Sequence, residues 1–267
     1  MPESLRPDEP TDRPLTPLAG ALWAVALTML VMCAVEATDA ARPGAQTDIV
    51  NLAACQVLAT SVVIFAMVRM HARDVSLRAT LGMRPLAPLH ALLSVAVGAG
   101  LYPLMATVDD WVLRRWPIDD THAAERLQKL VSSSPRVVLV IAALVIMPIA
   151  SELFFRGILY GGIRATTNVR AASIATAVFY ACSYLDPQQM PTALVLGFAM
   201  AWLRERTGTV VAPVIAQLAY WAVEGIPVLR GRDPTADVTY PPKWIAGGAV
   251  IAILALAAVG AGRKEEE

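Results

Sequence analysis

Apolar residues run in stretches near twenty long, separated by short polar segments rich in Arg, Asp and Pro. That length matches the ~20 residues a helix needs to cross the hydrocarbon core of a bilayer. Spans are predicted at residues 17–38, 48–69, 86–107, 136–162, 170–185, 189–204, 209–228 and 243–262. The fifth and sixth are short. The segment Leu185-Asp186-Pro187-Gln188-Gln189 between them predicts a tight outer turn. Lipid offers no partners to backbone N–H and C=O groups, so each span must satisfy them internally as a helix. The predicted fold class is therefore all-α: a polytopic membrane helical bundle of about eight transmembrane helices.

The polar stretches complete the domain map. Residues 1–16, with Pro2, Pro7, Pro10 and Pro14, predict a disordered N-terminal tail, and residues 17–262 form the bundle. The run Arg263-Lys264-Glu265-Glu266-Glu267 is a charged C-terminal tail. The first apolar run is too long for the core of a cleavable signal peptide. Residues 108–134 hold Asp109, Asp110, Arg114, Arg115, Asp119, Asp120, Glu125, Arg126 and Lys129, too many charges for a span. Trp111, Val112, Trp116 and Ile118, then Leu127, Leu130 and Val131, predict short amphipathic pieces at the membrane interface, broken at Pro117.

Composition sharpens the class. The chain of 267 residues is 56% hydrophobic and 16% charged, far from a soluble domain. A formal net charge of zero gives no reason to expect nucleic acid as a partner; the partner implied is the lipid bilayer. With the N-terminus inside, the inner segments hold Arg69, Arg73, Arg78, Arg84, Arg164, Arg170, Arg204 and Arg206 besides the basic residues of both tails. The short outer segments hold Arg42, Arg230, Arg232 and Lys243, while the loop at 108–134 carries further basic residues that dilute the contrast. The bias predicts a multi-pass protein of the cell (plasma) membrane with both termini in the cytoplasm. Cys33, Cys55 and Cys182 lie in apolar runs without metal-type spacing and read as small buried hydrophobes.

Ionisable groups within spans are costly and mark candidate sites. Glu36 and Glu224 sit near outer ends, where they reach water. Glu152 and Arg156 lie deeper in the fourth span, four residues apart on one helix face. Such a pair is either a structural staple or part of a catalytic centre. Ser151, Ser183 and Gln217 fall at comparable depth, roughly 10–20 Å from the inner ends of their spans at ~1.5 Å per residue. They converge on one polar layer or simply hydrogen-bond across helices. His71, His90 and His122 all lie outside that layer, so neither a metal site nor any other cofactor is expected. Glu152 is the one candidate base, and Arg156 beside it engages its charge and weakens it in that role. If the chain is active, Glu152 would activate water, Ser183 would orient it and Gln217 would donate to an oxyanion.

Residues from about 136 to 225 resemble the core of the CPBP intramembrane proteases, the family of type II CAAX prenyl endopeptidases and bacteriocin-processing and immunity proteins. The family's Glu-Glu-x-x-x-Arg motif stands here as Ser151-Glu152-Leu153-Phe154-Phe155-Arg156, followed by Gly157. Its Phe-x-x-x-His motif is Phe179-Tyr180-Ala181-Cys182-Ser183, and its His-x-x-x-Asn motif, in register from Pro213, is Gln217-Leu218-Ala219-Tyr220-Trp221. Leu196-Gly197-Phe198, Arg206-Thr207-Gly208 and the turn Leu81-Gly82-Met83-Arg84-Pro85 fit as well. The resemblance implies a glutamic-type intramembrane endopeptidase whose first Glu activates water, with two histidines and an Asn completing the site. Here those four positions are Ser151, Ser183, Gln217 and Trp221; Glu152 and Arg156 are the matching pair. Neither Ser nor Gln is a base near neutral pH.

Three functions remain open. The first is a degenerate, non-catalytic member that binds a membrane peptide, a lipidated peptide or a partner such as an active protease paralogue, in protein processing or sorting. The second is an active CAAX-type endopeptidase with an altered site built on Glu152. The third, a transporter or channel component gated by Glu152 and Arg156, lacks the paired broken helices such proteins use.

Overall fold

The computed structural model describes residues 14–117, 121–233 and 239–261, and its regular structure there is entirely helical. Ten helices follow in order: α1 (Pro17–Ala41), α2 (Ile49–His71), the single turn α3 (Leu77–Thr80), α4 (Pro88–Arg115), α5 (Thr121–Ser133), the composite α6 (Arg136–Thr166), α7 (Val169–Cys182), α8 (Met190–Thr207), α9 (Val211–Leu229) and α10 (Pro242–Ala261). The expected tails fall mostly outside the described residues, as do Ile118, Asp119, Asp120 and the side chains of His122, Arg126 and Leu127.

Six of these helices, α1, α2, α4, α6, α9 and α10, are long and apolar enough to cross a bilayer. The expected count of eight is therefore approximate. At 14 residues α7 spans about 21 Å, short of a ~30 Å core. Helix α8 reaches 18 residues, but Arg204, Glu205 and Arg206 occupy its last turns. Helix α4 runs past residue 107 to Arg115, so the first part of the stretch expected at the interface continues this helix. Trp111 and Trp116 meet edge to face at its end, 5.5 Å between ring centres. Further on, Leu130 and Val131 of α5 pack against Ile49, Ala53, Leu139 and Ala142.

Helix starts follow from side-chain oxygens that accept the otherwise unpaired first N–H groups. Thr16 caps α1, Asn168 caps α7, and Asp48 caps α2 by accepting from the Val50 and Asn51 amides. Asp48 also pairs with Arg42 at 2.7 Å. Removing the cap in Asp48→Ala is expected to cost about 1 kcal/mol, seen as a lower unfolding temperature in detergent. Helix α8 stops at Gly208, whose φ of 68° is left-handed backbone that suits glycine.

Two hydrophobic clusters carry the bundle. One joins α1, α2, α6, α7 and α8 around Met67, Phe154, Leu159 and Ile163; the other joins α4, α8, α9 and α10 around Val97, Met200, Leu203 and Ala216. Outside them stand exposed apolar side chains such as Leu18 and Leu92 (73% and 69% exposed). On a soluble protein these would be a liability; on a membrane bundle they suit acyl chains. Helix α6 departs from α geometry twice, widening to π turns at Ala142–Ile146 and Leu153–Leu159. The first π turn lies just before Pro148, which lacks an N–H and whose ring would crowd a regular turn. The second carries Arg156, directly after Glu152. Wide turns of this kind recur at functional sites.

Candidate functional site

Helix α6 places its ion pair inside the protein. Glu152 and Arg156 are both fully buried, and Arg156 Nη1 donates to Glu152 Oε1 at 3.0 Å. Arg156 Nη2 donates to the Gly197 carbonyl of α8 at 3.1 Å. Its guanidinium lies 4.3 Å from the ring centre of Tyr180 on α7 and 5.8 Å from that of Phe155. Arg204 Nε in turn donates to the Arg156 carbonyl at 2.9 Å. One guanidinium therefore ties three helices together. A charge in this setting is tolerable only when paired and hydrogen-bonded. The satisfaction is incomplete, because Glu152 Oε2 and Arg156 Nε have no hydrogen-bond partner.

A cavity of about 330 Å³ adjoins this strut, with Phe155 and Tyr180 bordering both. Ser151 reaches it from α6, Ser183 from the end of α7, Gln217 and Trp221 from α9, and Gln56 from α2. Apolar side chains of α1, including Leu27 and Val31, close one wall. The four positions singled out by motif spacing thus share one cavity. Glu152 and Arg156, the two that match the motif, do not line it. Successive residues on a helix point about 100° apart, so a group at 151 can face the cavity while its neighbour at 152 faces the protein.

Two tyrosines belong to the site that sequence reasoning did not single out. Tyr180 on α7 and Tyr184 in the turn just after it both line the cavity, and their hydroxyls are 2.8 Å apart. Gln217 Nε2 donates to the Tyr180 hydroxyl at 3.1 Å, while Gln217 Oε1 is buried without a partner. Ser183 donates to the Tyr180 carbonyl at 2.7 Å, a local bond within its own helix end. A tyrosine hydroxyl within a short apolar helix was the available signal, since a buried hydroxyl needs a partner.

The remaining charged residues lie elsewhere. Glu36 is exposed, and Glu224 accepts from the Tyr102 hydroxyl at 2.8 Å with Arg232 at 3.9 Å. Tyr220 and Trp221 meet edge to face at 5.1 Å, which sets the Trp221 ring on the cavity wall. Among the described residues, then, hydroxyls, amides and aromatic rings supply the polar lining, and no lining group is an acid or a base. Such a wall can accept and donate hydrogen bonds; it lacks a side chain that takes a proton from water near neutral pH.

Comparison with known proteins places the same segment. Residues 133–223 match the family model described as type II CAAX prenyl endopeptidase Rce1-like, which bears out the resemblance drawn from the motifs at 136–225. The curated "Putative membrane peptidase YdiL" of Bacillus subtilis (strain 168) is 28% identical over 80 residues, covering 30% of this chain. The matched stretch spans 33% of that relative's own length. No solved structure matches the chain.

Proposed function

Starting from a multi-pass membrane protein with a CAAX protease-like core, we propose that this chain is a non-catalytic member that binds a membrane or lipidated peptide without cleaving it. One observation carries the reading. The cavity gathers every position at which the family resemblance calls for a catalytic group, and those positions hold Ser151, Ser183, Gln217 and Trp221. The retained Glu152 is turned away from the cavity and engaged by Arg156. A general base must reach the water it activates, and this carboxylate is surrounded by protein. The cavity itself is about the size of a few residues' side chains and is lined from five helices, α1, α2, α6, α7 and α9. The protein sits in the cell membrane with both termini in the cytoplasm, as the distribution of basic residues suggests.

The test uses purified protein in lipid nanodiscs with fluorescent prenylated CAAX peptides and a panel of transmembrane peptides. We expect peptide binding and no product above that of a Glu152→Gln control. Turnover that depends on Glu152 would overturn the reading in favour of an endopeptidase built on that residue. Absence of binding by every peptide would remove the peptide-binding half of it.

A further inference from the structure

A second cavity, of about 390 Å³, lies where α1 begins and α2 ends, the end of the bundle that the bias of basic residues predicts to face the cytoplasm. Leu15, Met67, Val75 and Ile158 give it apolar walls, and Arg204 enters it from the last turns of α8. No carboxylate lines it among the described residues. Arg204 is partly buried and its guanidinium is fixed at one corner, where Nε donates to the Arg156 carbonyl at 2.9 Å. Gly82 makes room for it, since a Cβ there would clash with Arg204 Nη2. The two terminal nitrogens donate to no protein group, yet neither is sealed from solvent. Glu205, next in sequence, is engaged instead by the Tyr160 hydroxyl at 2.9 Å and by Arg164 at 3.5 Å. The Thr80 and Thr166 hydroxyls spend their protons on the Ser76 and Leu15 carbonyls, and His71 Nε2 accepts from Trp23. The donors that face the cavity unspent are those of Arg204.

A guanidinium drawn partly out of water, with its fork oriented and no carboxylate beside it, favours an anion whose oxygens match that fork. At the ends of spanning helices such as α2 and α6, the anions that come attached to apolar chains are the phosphates of lipid headgroups. The walls fit that source, because Leu15, Met67 and Val75 offer acyl chains an apolar start beside the charge. We propose that this cavity binds a phosphate group, with two of its oxygens on Nη1 and Nη2 of Arg204, and that the phosphate belongs to an anionic phospholipid. The site is separate from the cavity of Ser151 and Gln217 and does not depend on what that cavity binds.

The test uses full-length protein in dodecyl maltoside, a detergent without phosphate, at constant ionic strength. Arginine is isotopically labelled, and the Arg204 Nε–H resonance is assigned by its loss in Arg204→Gln. Dioleoylphosphatidylglycerol is expected to shift it with a midpoint about tenfold or more below that of dioleoylglycerol, which has the same chains without the phosphate; that ratio is the worth of one hydrogen bond to a charged group. Gly161→Leu fills the cavity from α6, at a position where a Cβ meets only the Thr80 carbonyl at 3.7 Å. It should raise the phospholipid's midpoint by about tenfold while the ligand-free resonance stays in place. Equal midpoints for the two lipids, oleate acting at the phospholipid's midpoint, or a midpoint untouched by Gly161→Leu would each overturn the proposal. Inorganic phosphate acting at the phospholipid's midpoint would support the phosphate site and overturn the lipid as its source. The comparison of lipids in the unaltered protein needs no variant to fold.

Discussion

Arg156→Ala is expected to destabilise the protein by about 3–5 kcal/mol, the usual consequence of stripping one partner from a buried ion pair. The substitution leaves Glu152 fully buried with neither oxygen bonded, and it orphans the Gly197 carbonyl as a side-chain acceptor. It also removes the cation from the face of the Tyr180 ring and leaves a void the size of a guanidinium between α6, α7 and α8. The measurement is thermal unfolding in detergent, followed by helical circular dichroism. A companion variant separates charge from packing. In Glu152→Leu combined with Arg156→Met both charges go and much of the volume stays. This pair should recover most of the loss, because apolar replacement of a buried ion pair is often neutral. An Arg156→Ala protein as stable as the original would contradict a structural role for the pair.

The contrast between that strut and the cavity explains what was readable from the chain. The spans were legible because bilayer thickness imposes a length on apolar runs, and α1, α2 and α10 begin within a residue of their expected starts. The short helices were harder, since α7 ends at Cys182, just before Ser183, in a turn where Leu185 takes a φ of 55°. The four cavity positions were legible through motif spacing, which carries register even where chemistry has changed. What spacing could not reveal was orientation: that Ser151 faces the cavity while Glu152 faces Arg156 depends on the local winding of α6. Nor could it reveal the tyrosine pair. Residues Tyr180 and Tyr184 acquire their role only when α9 brings Gln217 within reach of Tyr180.

Gly98→Ala should be the next most damaging change, although it adds only one methyl group. A Cβ built on Gly98 of α4 would lie 1.9 Å from the Ala216 carbonyl oxygen and 2.9 Å from the Tyr220 nitrogen. Both are backbone atoms of α9, so no rotamer change relieves the clash; the two helices must separate. They meet in a core where Val97, Ala212 and Ala216 are fully buried, so separation opens space that lipid cannot fill. Overpacking of this kind costs about 1–3 kcal/mol, and the upper end applies because backbone is struck. The effect should reach the cavity as well. Gln217 follows Ala216 directly, so displacement of α9 pulls the Gln217 amide from the Tyr180 hydroxyl. Fluorine NMR of the protein labelled with fluorotyrosine would report that movement at Tyr180. Gly247→Ala is the control: its Cβ would meet nothing within 4 Å, and alanine is the better helix former, so its stability should hold or rise slightly. If both glycine variants unfold at the same temperature, the close approach of α4 and α9 does not set the position of Gln217.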